Sequence, residues 1–224
     1  MPNKSLSMRV TPVFIVLTAL FSVCLIVSNL LETKVIDLGW FTITAGCVVF
    51  PVSYVINDCI VEVYGLKNAK FVIFLGFAMN LFAVLVLQLG IIMPGDTSPE
   101  ISAAMDTVFG ATPRILSASF TAFLVGSLIN ARVMHVMKHT PAATNSRRSF
   151  SFRAIASTIA GEGADSLVFF PIAFGGVLPM SVIISMILTQ ACIKTVYEIV
   201  MLPITLRTVS ALRRHEEPLL APTL

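Results

Sequence analysis

Residues 10–31 read VTPVFIVLTALFSVCLIVSNLL, 22 consecutive positions without a charge. A helix needs about 20 apolar residues to cross the hydrocarbon core of a bilayer, so this run places the chain in a membrane. Lys4 and Arg9 precede it as they would in a secretory signal. The run is longer than the apolar region of such a signal, and no small-residue cleavage pattern follows it, so the expectation is a retained first helix.

Working outward, the same reading finds five further apolar stretches. The expected helices cover about 11–31, 42–64, 70–93, 113–137, 152–174 and 180–206. Gly65, Pro94-Gly95, and Gly175-Gly176 with Pro179 punctuate them. An acidic connection over 96–112 and a basic one over 138–151 are the longest. The expected fold is all-α: one transmembrane domain, a polytopic bundle of six transmembrane helices, with tails at 1–10 and 207–224.

Composition agrees. Hydrophobic residues make up 56% of the 224 and charged residues only 12%, with mean hydropathy +0.91, too little polar surface for a soluble domain. No G-x-x-x-x-G-K-[ST] run is present, so energy is expected from a gradient, from trapping of the solute, or from a separate subunit. Placing both termini in the cytoplasm puts 12 of the 15 Lys and Arg residues on the inner side, as the positive-inside rule requires. Lys34, Arg114 and Lys194 are the others. Basic residues at helix ends are no nucleic-acid face, so no such partner is expected. Cys24, Cys47, Cys59 and Cys192 lie in apolar stretches and read as buried thiols. His135 and His139 are too small a set to suggest a metal. The Gly161-Glu-Gly-Ala-Asp165 run has the wrong spacing for a membrane aspartyl protease, so no catalytic residues are assigned.

Ionisable side chains at membrane depth are costly, and they tend to face the bundle interior and mark a pathway or site. Tyr54, Asp58 and Glu62 are spaced four apart and share a helix face. Thr158, Glu162, Asp165 and Phe169 share another, with Gly161 and Gly163 beside Glu162 permitting close packing or a local break. Gln190, Lys194 and Glu198 form a third, where Lys194 and Glu198 could pair internally. Arg114 either anchors its helix at the outer interface or plugs the outer mouth. Ser28, Asn29, Ser119, Ser127 and Asn130 add polar lining. Five acids (Asp58, Glu62, Glu162, Asp165, Glu198) face only Arg114 and Lys194. That excess suits protonated carboxylates, a donor-rich solute or a cation, with Phe120, Phe123, Phe169 and Phe170 available as flat surfaces.

Several motifs together resemble the queuosine precursor transporter family, a vitamin-uptake-type group. They are S28-N-L-L, F50-P with N57-D-C-I-V-E-V-Y-G, T112-P-R-I-L-S-A-S, G161-E-G-A-D-S with F-F-P-I-A-F, and K194-T-V-Y-E-I-V-M-L-P. The resemblance implies a six-helix inner-membrane importer of 7-cyano-7-deazaguanine or 7-aminomethyl-7-deazaguanine. The implied architecture is similar to the substrate-capturing subunits of energy-coupling-factor importers. It implies no cofactor; partners would be the small-molecule base and membrane lipid, with a second copy or an energising module left open. The residues expected to line the site are Asn29, Asp58, Glu62, Arg114, Ser119, Asn130, Glu162, Asp165, Phe169, Gln190 and Lys194. A proton-coupled carrier for another small polar solute is the alternative.

Overall fold

Pro12 opens the first helix, where its missing N–H costs nothing, and the Thr11 hydroxyl caps it by accepting from the Phe14 amide at 3.2 Å. A computed structural model of the chain describes residues 11–94, 98–138 and 147–220. Helix α1 spans Pro12–Leu31, followed by strands β1 (Val35–Asp37) and β2 (Thr42–Thr44) and a 3-10 turn over Ala45–Val48. Then come α2 (Phe50–Tyr64), α3 (Leu66–Ile92), α4 (Pro99–Phe109), α5 (Thr112–Lys138), α6 (Arg147–Phe174) and α7 (Met180–Leu220). By length and apolar composition, α1, α3, residues 99–130 and the Met180–Met201 part of α7 can each cross a membrane. Helix α2, with 15 residues, is about 22 Å long. Helix α6 carries Glu162 and Asp165 in its middle, which lowers its apolar content.

The helices show lipid outward and pack inward. On α3, Ala69, Val72, Gly76, Asn80 and Val84 are buried at near-four-residue intervals, the inner face of a helix. Phe74, Leu81, Phe82, Leu85 and Leu89 stand exposed around it. Two apolar clusters result. One joins α1, α2, α3 and the start of α5 through Phe14, Phe21, Leu25, Ile60, Phe77 and Leu116. The other joins α5, α6 and α7 through Ile115, Phe169, Phe170, Phe174, Ile183 and Met186. Helices α1–α3 and α5–α7 are thus two lobes of one bundle, joined where α2 packs along α7 and where α1 and α3 meet α5.

The segment over 42–64 differs from the single helix expected of it. Residues 42–44 pair antiparallel with 35–37 (Val35 opposite Thr44, Asp37 opposite Thr42), and α2 starts only at Phe50. The tip is held by the Gly39 amide donating to Asp37 Oδ1 at 2.8 Å, and Gly39 has φ of +83°, where a side chain would be strained. The 3-10 turn after the hairpin packs on the end of α1, β2 lies against α7, and Val35 reaches the α5–α7 cluster. Within the acidic connection, α4 begins with Pro99 and has Glu100 in its first turn. Residues 207–220, expected as a polar tail, continue α7. Residues 139–146 of the basic connection and the side chains of Tyr54, His135 and Glu198 lie outside the described residues.

Helices α5 and α6 touch at glycines. A Cβ on Gly126 would stand 2.9 Å from the Gly161 carbonyl oxygen, and one on Gly161 would stand 2.8 Å from Asn130 Cβ. Helix α6 runs unbroken through this point, so Gly161 serves close packing rather than a break. Gly163 meets nothing within 4 Å. Gly161→Ala is therefore expected to cost about 1–3 kcal/mol by overpacking, whereas Gly163→Ala should be neutral or slightly stabilising through helix propensity. Thermal unfolding of both variants checks this; equal effects would contradict the contact.

Candidate functional site

Lys194 stands on α7 at 8% exposure, in the seam between the lobes. Its ammonium lies 2.5 Å from Asp165 Oδ2 and 3.4 Å from Glu162 Oε2, both on α6, and 5.0 Å from the centre of the Phe50 ring at the start of α2. Helical spacing puts Glu162 and Asp165 on one face, so one cation serves both. With Lys194 buried and both carboxylates partly buried, the set is held by mutual attraction against a desolvation cost.

One turn before Lys194, the buried Gln190 amide meets the Thr44 hydroxyl at 3.3 Å, tying α7 to the hairpin. The end of α1 closes the group. Ser28 Oγ donates to the Gly46 carbonyl at 3.3 Å. Asn29 is 3% exposed, and neither of its amide atoms hydrogen-bonds to the described residues. Glu32 is 2% exposed. Its carboxyl lies against Gly46, where a Cβ would come within 2.7 Å of Glu32 Cδ, and Lys194 and Asp165 lie within its electrostatic reach. Ser166 on α6 is fully buried, with its hydroxyl also unbonded.

The structure thus brings Glu162, Asp165, Gln190 and Lys194 together and places Asn29 on the α1 turn beside them. Other expected site residues lie elsewhere. Arg114 Nε donates to the Ile172 carbonyl at 2.6 Å, and its Nη2 donates to the Gly175 carbonyl. The guanidinium thereby caps the carbonyl end of α6, where positive charge is favoured. Phe169 packs edge-on against Phe170 at 5.2 Å inside the apolar cluster. Ser119 is buried on α5, while Asn130 is exposed and lies against Gly161. Phe120 and Phe123 pack on Phe77 of α3.

Asp58 and Glu62 belong to the opposite end of α2. Asp58 is exposed, and Glu62 pairs with Arg213 of α7 at 2.6 Å, both about half exposed. Next to them Glu216 is fully buried and accepts from His215 Nδ1 at 3.1 Å. Burial raises the Glu216 pKa, but the hydroxyls of Thr11 and Tyr64 and the His215 ring outweigh it and hold the carboxyl below its ordinary value of 4.5. A depressed folded-state pKa contributes stability above the unfolded value and loses it as pH falls through the folded one. Melting temperature is thus expected to fall more steeply below about pH 4.5 in the native chain than in Glu216→Gln. Parallel pH profiles would remove Glu216 from the packing of this end.

Sequence reasoning missed Glu32. It follows the apolar run directly and sits near Lys34, so it reads as an interfacial charge. Its spacing from Ser28 and Asn29 was the available signal.

Lys194, Asp165 and Glu162 meet where α2, α6 and α7 come together, and known proteins resemble the chain in sequence. A profile of the family described as "Putative vitamin uptake transporter" matches residues 44–208. The chain belongs to this family of vitamin uptake transporters. A Bacillus subtilis (strain 168) protein named "Probable queuosine precursor transporter" is 28% identical over 177 residues, covering 79% of this chain and 76% of that protein. No solved structure matches the transporter. These findings bear out the resemblance to the queuosine precursor transporter family, whose G161-E-G-A-D-S and K194-T-V-Y-E motifs lie within the matched residues. The chain is a membrane transporter and not an enzyme.

Proposed function

We propose that this transporter imports a deazaguanine precursor of queuosine, 7-cyano-7-deazaguanine or 7-aminomethyl-7-deazaguanine, through the seam that holds Lys194. The observation that carries this reading is the buried Lys194 with the partly buried Asp165 and Glu162, and Gln190 one turn away, where the two lobes meet. Transporter sites commonly lie at the interface of two helical halves. A deazaguanine offers a ring N–H beside an exocyclic amine, a pair that one carboxylate can accept with both oxygens. Glu162 is the looser partner of Lys194 and takes this edge. Lys194 or Gln190 donates to the ring carbonyl, and Phe50, beside the Lys194 ammonium, offers its ring to the base plane. Counting α2 and α6 as spans gives six, with both termini in the cytoplasm of a cell whose inner membrane houses the chain.

The test is the thermal stability of detergent-purified protein with both deazaguanines, guanine and unrelated vitamins. A ligand that binds only the folded state stabilises it by about 2.7 kcal/mol at a hundredfold excess over its Kd. A shift with a deazaguanine alone supports the substrate class. A shift only with another solute replaces it with a carrier for that solute.

A further inference from the structure

Among the described residues three acids meet one buried base at the seam: Glu32 is buried, and Glu162 and Asp165 are partly buried. Glu162 and Asp165 share Lys194, and Glu32 joins them within electrostatic reach. Among the described residues no basic side chain forms an ion pair with Glu32. Among the described residues its Oε2 accepts no hydrogen bond, although the Thr44 hydroxyl reaches the carboxyl, and on the preceding turn neither amide atom of Asn29 is hydrogen-bonded. Both residues are more than nine-tenths buried. The carboxyl is also fixed in place: Gly46 leaves it room that any side chain would fill, and the Ser28 hydroxyl holds the Gly46 carbonyl. Isolated buried charge is strongly disfavoured. Glu32, without a cation of its own among the described residues, is accommodated by holding its proton or by taking up positive charge from a ligand.

We propose that Glu32, with Asn29, receives a cationic arm of the substrate, and that the transporter therefore prefers the ammonium-bearing 7-aminomethyl-7-deazaguanine over the neutral 7-cyano form. This rests on the deazaguanine reading above and adds to it. Glu162 takes the edge common to both precursors, whereas Glu32 takes the substituent in which they differ. A carboxylate supplies two acceptor oxygens and compensating charge to an ammonium, but only repulsion to a nitrile nitrogen, which is itself an acceptor. Specificity then follows from an unpaired charge left behind by the wrong ligand.

The experiment measures the affinity of the full-length purified protein for three probes: 7-aminomethyl-, 7-hydroxymethyl- and 7-cyano-7-deazaguanine. The hydroxymethyl compound matches the aminomethyl one in size and lacks its charge. The native protein is expected to bind the aminomethyl probe about tenfold to a hundredfold more tightly than either neutral probe, the range of a hydrogen bond to a charged group. In Glu32→Gln that advantage should vanish while affinity for 7-cyano-7-deazaguanine is retained. Equal native affinity for aminomethyl and hydroxymethyl probes would overturn the inference and leave the deazaguanine assignment intact. So would an equal loss of all three probes in Glu32→Gln. Should that variant fail to fold, the native comparison of the two isosteres decides alone. If the native protein binds none of the three, the deazaguanine reading fails and this inference falls with it.

Discussion

Lys194→Met is expected to destabilise the fold by up to about 3–5 kcal/mol and to abolish transport, because it removes the cation that the partly buried Asp165 and Glu162 share. Asp165 lies 2.5 Å and Glu162 3.4 Å from the Lys194 ammonium. Removing all three charges at once is a different matter. Replacing a buried ion set with apolar or neutral groups of similar volume is often neutral or stabilising. The triple variant Lys194→Met, Asp165→Leu, Glu162→Gln should therefore recover most of the stability and none of the transport. Chemical denaturation and uptake, measured on both variants, check the two halves separately. A stable, active Lys194→Met protein would show that the ion set is incidental.

The second large effect concerns Glu162 alone. Glu162→Gln keeps Lys194 paired with Asp165, so the fold should persist. Ligand affinity is expected to fall by about tenfold to a hundredfold, since a charged acceptor is replaced by a neutral group with a single acceptor oxygen. Glu62→Gln serves as the control at the other end of the bundle. The Glu62–Arg213 pair is about half exposed on both sides, and such pairs contribute roughly 0–1 kcal/mol. Its loss should leave ligand affinity unchanged. Isothermal titration on both variants makes the comparison, and similar losses in the two would move the site away from α6.

The contrast between Glu162 and Glu62 shows what sequence alone conveys. Spacing of three and four placed Glu162 with Asp165, and Asp58 with Glu62, on common faces, yet spacing says nothing about which neighbour a face meets. Glu62 meets Arg213, 151 residues away, on a part of α7 that read as a solvated tail. Helix α1 was legible because an uninterrupted apolar run of that length has one structural solution in a membrane. The 42–64 segment was not, since a short apolar run rich in Thr, Ile and Val is ambiguous between strand and helix. There the deciding interactions are the pairing of Val35 with Thr44 and the Thr44–Gln190 contact, which couple distant segments. Helix α4 left local signals, Pro99 at its first turn and Glu100 behind it, within a stretch that read as an acidic connection. Glu32 became visible only when the 3-10 turn carrying Gly46 packed on the end of α1. The roles of Arg114 and Phe169 were equally open in sequence. The carbonyls at the end of α6 engage the first, and a cluster of aromatic rings encloses the second.

The central claim is that this chain carries a deazaguanine across the membrane by way of the Lys194 seam. The most direct measurement uses cells that cannot make queuosine precursors and have no importer of their own. They are supplied with 7-aminomethyl- or 7-cyano-7-deazaguanine, and queuosine in their transfer RNA is quantified. The native chain is predicted to restore queuosine at low external precursor, and Glu162→Gln, expressed to the same level, is predicted not to. Queuosine that stays at background with the native chain correctly inserted, or that returns equally with Glu162→Gln, would contradict the account.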